Sequence, residues 1–146
     1  MRSKRMKSVQ RLMGMHEQNA ARQFGISQDQ LSRNQAQLQE LIEYRNEYAR
    51  GFRETTRRAL GAHEMQDYYL FLKRLNQAIR EQQQVIDVIA RDHETHKTRW
   101  LNTRSKTKAV EKVVDRYRNQ ERYEQDQREQ RESDHRSQYG RRALDE

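Results

Sequence analysis

Cysteine is absent from this 146-residue chain, so neither a disulfide framework nor a thiolate metal site can form. Proline is absent as well and glycine occurs only five times, while hydrophobic residues make up just 32% of the sequence against 36% charged. So little apolar surface cannot close a thick globular core. No run approaches the ~18 apolar residues of a membrane span, and the basic start over residues 1–11 is followed by no apolar segment of a secretion signal. A cytoplasmic protein is therefore expected. Chemistry is lacking too: no glycine-rich phosphate loop occurs, the Ser and Thr residues have no paired base, and the carboxylates are scattered among cations. Neither an enzyme nor a bound cofactor is expected.

What the chain does have is apolar spacing. From residue 65 to 117 one track runs through Met65, Leu72, Ile79, Ile86, His93, Trp100, Thr107 and Val114. A second follows three residues behind, through Tyr68, Leu75, Gln82, Ile89, His96, Thr103, Val110 and Tyr117. A return averaging ~3.5 residues keeps one narrow seam facing one partner, the pattern of a coiled coil. At ~1.5 Å per residue that seam is on the order of 80 Å long. Earlier in the chain Met6, Met13, Ala20, Ser27, Asn34, Leu41 and Tyr48 form a matching track, joined by Phe24, Leu31, Leu38, Arg45 and Phe52.

Two seams separated by one break predict an all-α fold, a long two-helix antiparallel coiled-coil hairpin in a single elongated domain over residues 1–146. The break falls best at Gly61, because glycine is favoured just past a helix end. This places helix 1 at about 4–58, the turn at about 59–63 and helix 2 at about 64–137, with 118–146 a polar tail, helical or disordered, and Gly140 ending whatever helix persists there. The same break sets Phe52 against Leu72, Leu38 against Ile86, Phe24 against Trp100 and Met13 against Val110. His93 and His96 then fall near Leu31 and Ser27, with Asn34 close by. Two imidazoles on one helix face suit either a metal or a polar layer that fixes register; without an acid or third His beside them, the polar layer is the favoured reading.

Two surface features stand out. Arg2, Lys4, Arg5, Lys7 and Arg11 meet no nearby acid in sequence, and a second basic run spans Arg99 to Arg118, so the hairpin puts both at the end away from the turn. Nearer the turn Phe71, Ala78 and Val85 recur one position before seam residues, with Gln37 and Tyr44 on a comparable flank of helix 1. That width exceeds what two helices cover, which suggests either a docking face for a protein or wide packing with another helix.

The segments AARQFG (residues 20–25), QLQELIEYRNEY (37–48), FLKRLNQAI (71–79), and Trp100 followed by Arg104, Lys106, Lys108 and Ala109 resemble the flagellar type III export protein FliJ family, in its order and spacing. The resemblance spans most of residues 5–120. It implies a helical hairpin acting as central stalk of the flagellar export ATPase hexamer, docking on the cytoplasmic domain of the export gate protein and binding substrate chaperones, at the inner membrane but not inserted in it. By the same resemblance the gate-contacting face is Gln37, Leu41, Tyr44, Tyr48, Phe71, Leu75, Ala78 and Gln82, with Gln82 standing where the family can carry a histidine. The ATPase-facing basic tip is Arg5, Lys7, Arg104, Lys106 and Lys108. Rival readings are a homodimeric basic coiled coil on nucleic acid, disfavoured because the basic residues overlie the seam, and the equivalent stalk of a virulence injectisome.

Overall fold

The computed structural model describes residues 2–56 and 61–145. They form two helices, α1 (Arg2–Thr56) and α2 (Ala62–Asp145), with no strand among the described residues. The helices pack against each other as a hairpin, and their pairing divides into two compact units. One comprises Ala20–Trp100; the other joins the residues up to Asn19 with those from Leu101 onward.

Every seam position predicted on either helix is buried or half-buried. The apolar core is thin even so. Val114 is fully buried, Ile79 and Leu75 nearly so, and polar residues occupy many of the remaining seam positions. Ser3, Gln10, Glu17 and Glu121 extend the seam in the unit that contains the chain ends; being polar, they gave no hydrophobic signal.

The register differs from the predicted one by about one helical turn, ~4 residues. Phe52 stacks on Tyr68 (ring centroids 3.4 Å apart) rather than meeting Leu72. In the other unit Thr107 Oγ1 reaches the Met13 carbonyl at 3.4 Å, so Met13 lies beside Thr107 rather than Val110. The described part of α1 reaches Thr56, and α2 begins at Ala62, two residues earlier than expected. The expected end of helix 1 near residue 58 and positions 59 and 60 of the expected turn lie outside the described residues. Gly61 serves α2 rather than α1, since its carbonyl accepts the first helical bond from the Met65 N–H at 3.2 Å. Phe24 still meets Trp100 because its ring stacks on both His93 (4.9 Å) and Trp100 (5.3 Å).

Polar pairs mark the register within each unit. In the Ala20–Trp100 unit, Ser27 Oγ donates to the Phe24 carbonyl at 2.8 Å and sits 2.9 Å from His93 Nδ1. A hydroxyl has one proton, so the direction of the second bond follows the His93 tautomer. Asn34 joins Gln82 instead of the histidines: the Gln82 amide donates to Asn34 Oδ1 at 3.0 Å and to its carbonyl at 3.1 Å. Arg45 donates to Asn76 Oδ1 at 3.3 Å. His96 lies 3.4 Å from Asp92 through Nε2, and its buried Nδ1 has no hydrogen-bond partner. The pairs that cross between the helices, Ser27 with His93, Asn34 with Gln82 and Arg45 with Asn76, add little net energy but penalise other alignments, because sliding one turn separates the partners.

In the other unit the start of α1 is tied to α2. Glu121 accepts from Ser3 Oγ at 2.6 Å and from the Ser3 N–H at 3.2 Å, filling an orphan donor at the positive end of the helix with a carboxylate. The Arg2 guanidinium lies 5.9 Å from the Tyr117 ring centroid. Past Glu121 every described residue is exposed, yet α2 continues through Gly140, where a helix end was expected, to Asp145. A helix already propagating loses only about 1 kcal/mol at a glycine, so one such residue does not stop it.

Two outcomes follow. Ser27→Ala strands the buried His93 Nδ1 and lowers stability by about 1–3 kcal/mol, read as a fall in thermal midpoint; an unchanged midpoint would mean the pair adds nothing. The hydroxyl bond first, and the backbone bond second, hold the Glu121 carboxyl below the usual glutamate range. Its contribution is therefore present above about pH 4.3 and is lost as pH falls through the lowered value. Hydrogen exchange at the Ser3 amide should accelerate in acid, beyond the intrinsic pH dependence, in the native chain but not in Glu121→Gln.

Candidate protein-interaction site

The residues flanking the seam in the Ala20–Trp100 unit build an aromatic surface. Tyr44 and Phe71 meet edge-on with ring centroids 6.3 Å apart, bringing together the flanks of α1 and α2 singled out from the sequence. Tyr48 packs against Phe71 at 4.7 Å and stacks on Tyr68 at 5.0 Å. Burial chiefly, and the neighbouring Tyr48 next, raise the pKa of the Tyr68 hydroxyl above its ordinary value. Between the helices lies a groove of about 480 Å3, lined by Tyr44, Tyr48, Phe52 and Tyr68 together with Glu47, Gly51, Thr55 and Glu64. Tyr44 is 51% and Val85 45% exposed, so apolar surface remains open to solvent. An aromatic groove of this kind can seat side chains of another protein.

The second feature is the basic surface of the unit holding the chain ends. Arg5, Lys7, Arg104, Lys106 and Lys108 are all exposed there. Their seam neighbours place Lys7, Arg104 and Lys108 on one side of the seam and Arg5 and Lys106 on the other. Five cations split in this way form no single patch. They surround the buried Thr107 and Val114 instead.

A scan of the sequence against protein families matches the model described as "Flagellar FliJ protein" over residues 2–143. The chain belongs to the FliJ family. It is accordingly a component of the flagellar export apparatus, and the match includes the exposed helix past Glu121. No curated relative and no solved structure matches it. No helix of the described residues is long and apolar enough to cross a membrane.

Placed in this FliJ-family structure, the eight residues expected on the gate face fall into two groups. Gln37, Tyr44, Phe71 and Ala78 flank the seam, the first two exposed and the others half-buried. Leu41, Tyr48, Leu75 and Gln82 occupy the seam itself, where Leu75 is 8% exposed and Gln82 is bonded to Asn34. The second group shapes the face by holding the helices together. Glu47, Gly51, Thr55 and Glu64 belong to the groove but were not singled out from the sequence; the seven-residue step from Tyr44 to Gly51, beside the seam, was the available signal.

These positions predict separable effects of substitution. Leu75→Ala should cost about 2 kcal/mol or more, by removing buried methyl groups and leaving a cavity. Tyr44→Ala should leave the melting transition within about 0.5 kcal/mol of the parent, as a surface change does. Thermal unfolding of both variants checks the pair, and a Tyr44 variant as damaged as Leu75→Ala would make the flank part of the core.

Proposed function

We propose that this FliJ-family protein is the central stalk of the flagellar export ATPase, working in the cytoplasm at the inner membrane. The unit that holds the chain ends enters the pore of the ATPase hexamer, with Arg5, Lys7, Arg104, Lys106 and Lys108 facing its subunits. The Ala20–Trp100 unit docks on the cytoplasmic domain of the export gate protein through the Tyr44–Phe71 flank, and the protein also binds substrate chaperones. The observation that carries this reading is the family match over residues 2–143, joined to a paired-helix body with exposed cations on both sides of its seam.

The mechanism needs no chemistry on the protein itself. Two helices with different side chains on every face cannot present the same surface to all members of a ring. Subunits touching cations are stabilised in one conformation relative to those that are not, which biases ring assembly and hydrolysis. The family match favours the flagellar assignment over an injectisome stalk. The nucleic-acid reading has less support, since the cations straddle a buried seam instead of lining a free basic helix.

Titrating the cognate ATPase with this protein should raise hydrolysis together with ring formation. Lys7→Glu with Arg104→Glu and Lys108→Glu should cut the stimulation by about fivefold or more at ~0.15 M salt while helicity is kept. An unaltered hydrolysis rate with a folded protein would remove the stalk role, and steeply salt-dependent binding to arbitrary DNA would replace it with nucleic-acid binding.

A further inference from the structure

The groove beside Tyr44 and Phe71 has a charge pattern opposite to that of the chain. The protein carries a net charge of +8, yet Glu47 and Glu64 line the groove. On α1, Glu40, Glu47 and Glu54 recur every seven residues, each two positions after a seam residue, and all three are exposed. Seven residues of helix advance ~10 Å, so the three carboxylates form an evenly spaced row along one rim. α2 adds Glu64, Asp67 and Glu81 on its side, with Arg74 the cation among them. The groove itself is lined by the rings of Tyr44, Tyr48, Phe52 and Tyr68, and beyond it the same flank of α2 continues through Phe71, Ala78 and Val85 at seven-residue steps. Toward the turn the groove passes Gly51, where an added Cβ would meet nothing within 4 Å, so a side chain from outside has room there.

We propose that this groove seats an amphipathic helix from a partner protein, one whose apolar stripe is edged by Lys or Arg at seven-residue intervals. The inference rests on the docking reading of this flank and adds the chemistry of what docks. Apolar side chains supply the affinity by covering Tyr44, Phe71 and Val85. Glu40, Glu47 and Glu54 supply orientation and register, because a straight helix beside α1 repeats its own side chains at the same spacing. An acidic helix of equal apolarity meets three like charges and is rejected. The strip from Phe71 to Val85 is ~20 Å long, so about 14 residues of helix cover it.

The test uses the full-length protein and two labelled synthetic helices with the same leucine stripe, one edged every seven residues by lysine and the other by glutamate. Fluorescence anisotropy should give at least tenfold tighter binding of the lysine helix, weakening as salt rises. Glu40→Gln with Glu47→Gln and Glu54→Gln should lower that affinity about tenfold, the sum of three exposed ion pairs, and flatten the salt dependence with melting unchanged. Equal binding of the two helices, or full affinity in the triple variant, overturns the proposal. So does a concentration-dependent dimer that excludes the lysine helix and is abolished by Tyr44→Arg, since the occupant is then a second copy of this chain. Competition separates the two levels of the argument. Displacement of the lysine helix by the cytoplasmic domain of the export gate protein supports both; binding without displacement upholds the acidic groove and removes the gate as its occupant.

Discussion

A spacing that averages ~3.5 residues lets two helices share a seam only about two side chains wide, and the rest of the structure is a consequence of that width. So narrow an interior has room for few fully buried residues, and among the described residues Val114 is the one large side chain that loses all contact with solvent. Everything beside the seam is half-covered at best. Tyr44 and Val85 are exposed because two helices have no third layer to place over them, not because a core failed to form. The same narrowness makes alignment a weak point, since an apolar seam sliding by one turn finds other apolar residues to meet. The bonds of Ser27 to His93, Asn34 to Gln82 and Ser3 to Glu121 counter this, as each has one alignment in which its polar atoms are satisfied.

Much of this was legible in the sequence. The identity of the seam positions could be read residue by residue, because heptad spacing is a property of one helix and needs no knowledge of its neighbour. Phe24 beside Trp100 and Ser27 near His93 were also foreseen. The register was legible only to within a turn, since it depends on where the chain reverses, and the apolar track fades before residue 57 with no sharp stop signal. Asn34, expected close to the histidines, bonds Gln82 instead. Gly61, expected within the turn, directly precedes α2, and its carbonyl accepts a bond from the Met65 N–H. At Gly140 the general rule misled, because a lone glycine costs a propagating helix only about 1 kcal/mol, and α2 runs through it to Asp145.

The aromatic flank was half legible. Tyr44 and Phe71 stand one position before seam residues, and their meeting in space follows from heptad geometry alone. What periodicity could not separate is which of these residues stay open to solvent and which hold the two helices together. Leu75 and Phe71 are four apart on one helix and look alike in sequence, yet one is inside and the other half outside. The carboxylate row at Glu40, Glu47 and Glu54 was overlooked for a different reason, being diluted by a chain rich in both signs of charge. It becomes visible once the seam fixes which side of the helix each residue takes.

The helix past Glu121 belongs to a different physical regime from the rest. With every side chain exposed, its order comes from backbone propagation and from local pairs such as Arg136 with Glu132 and Gln125 with Glu129. Propagation in water gains or loses only slightly per residue, so the helix–coil boundary in such a stretch has no fixed address. Warming or added salt moves it along α2 toward Glu121, where the bond to Ser3 marks the point at which tertiary contact halts the retreat. The length of ordered helix that this end holds out to its surroundings is thus a continuous variable, set by the medium on one side and by a single carboxylate on the other.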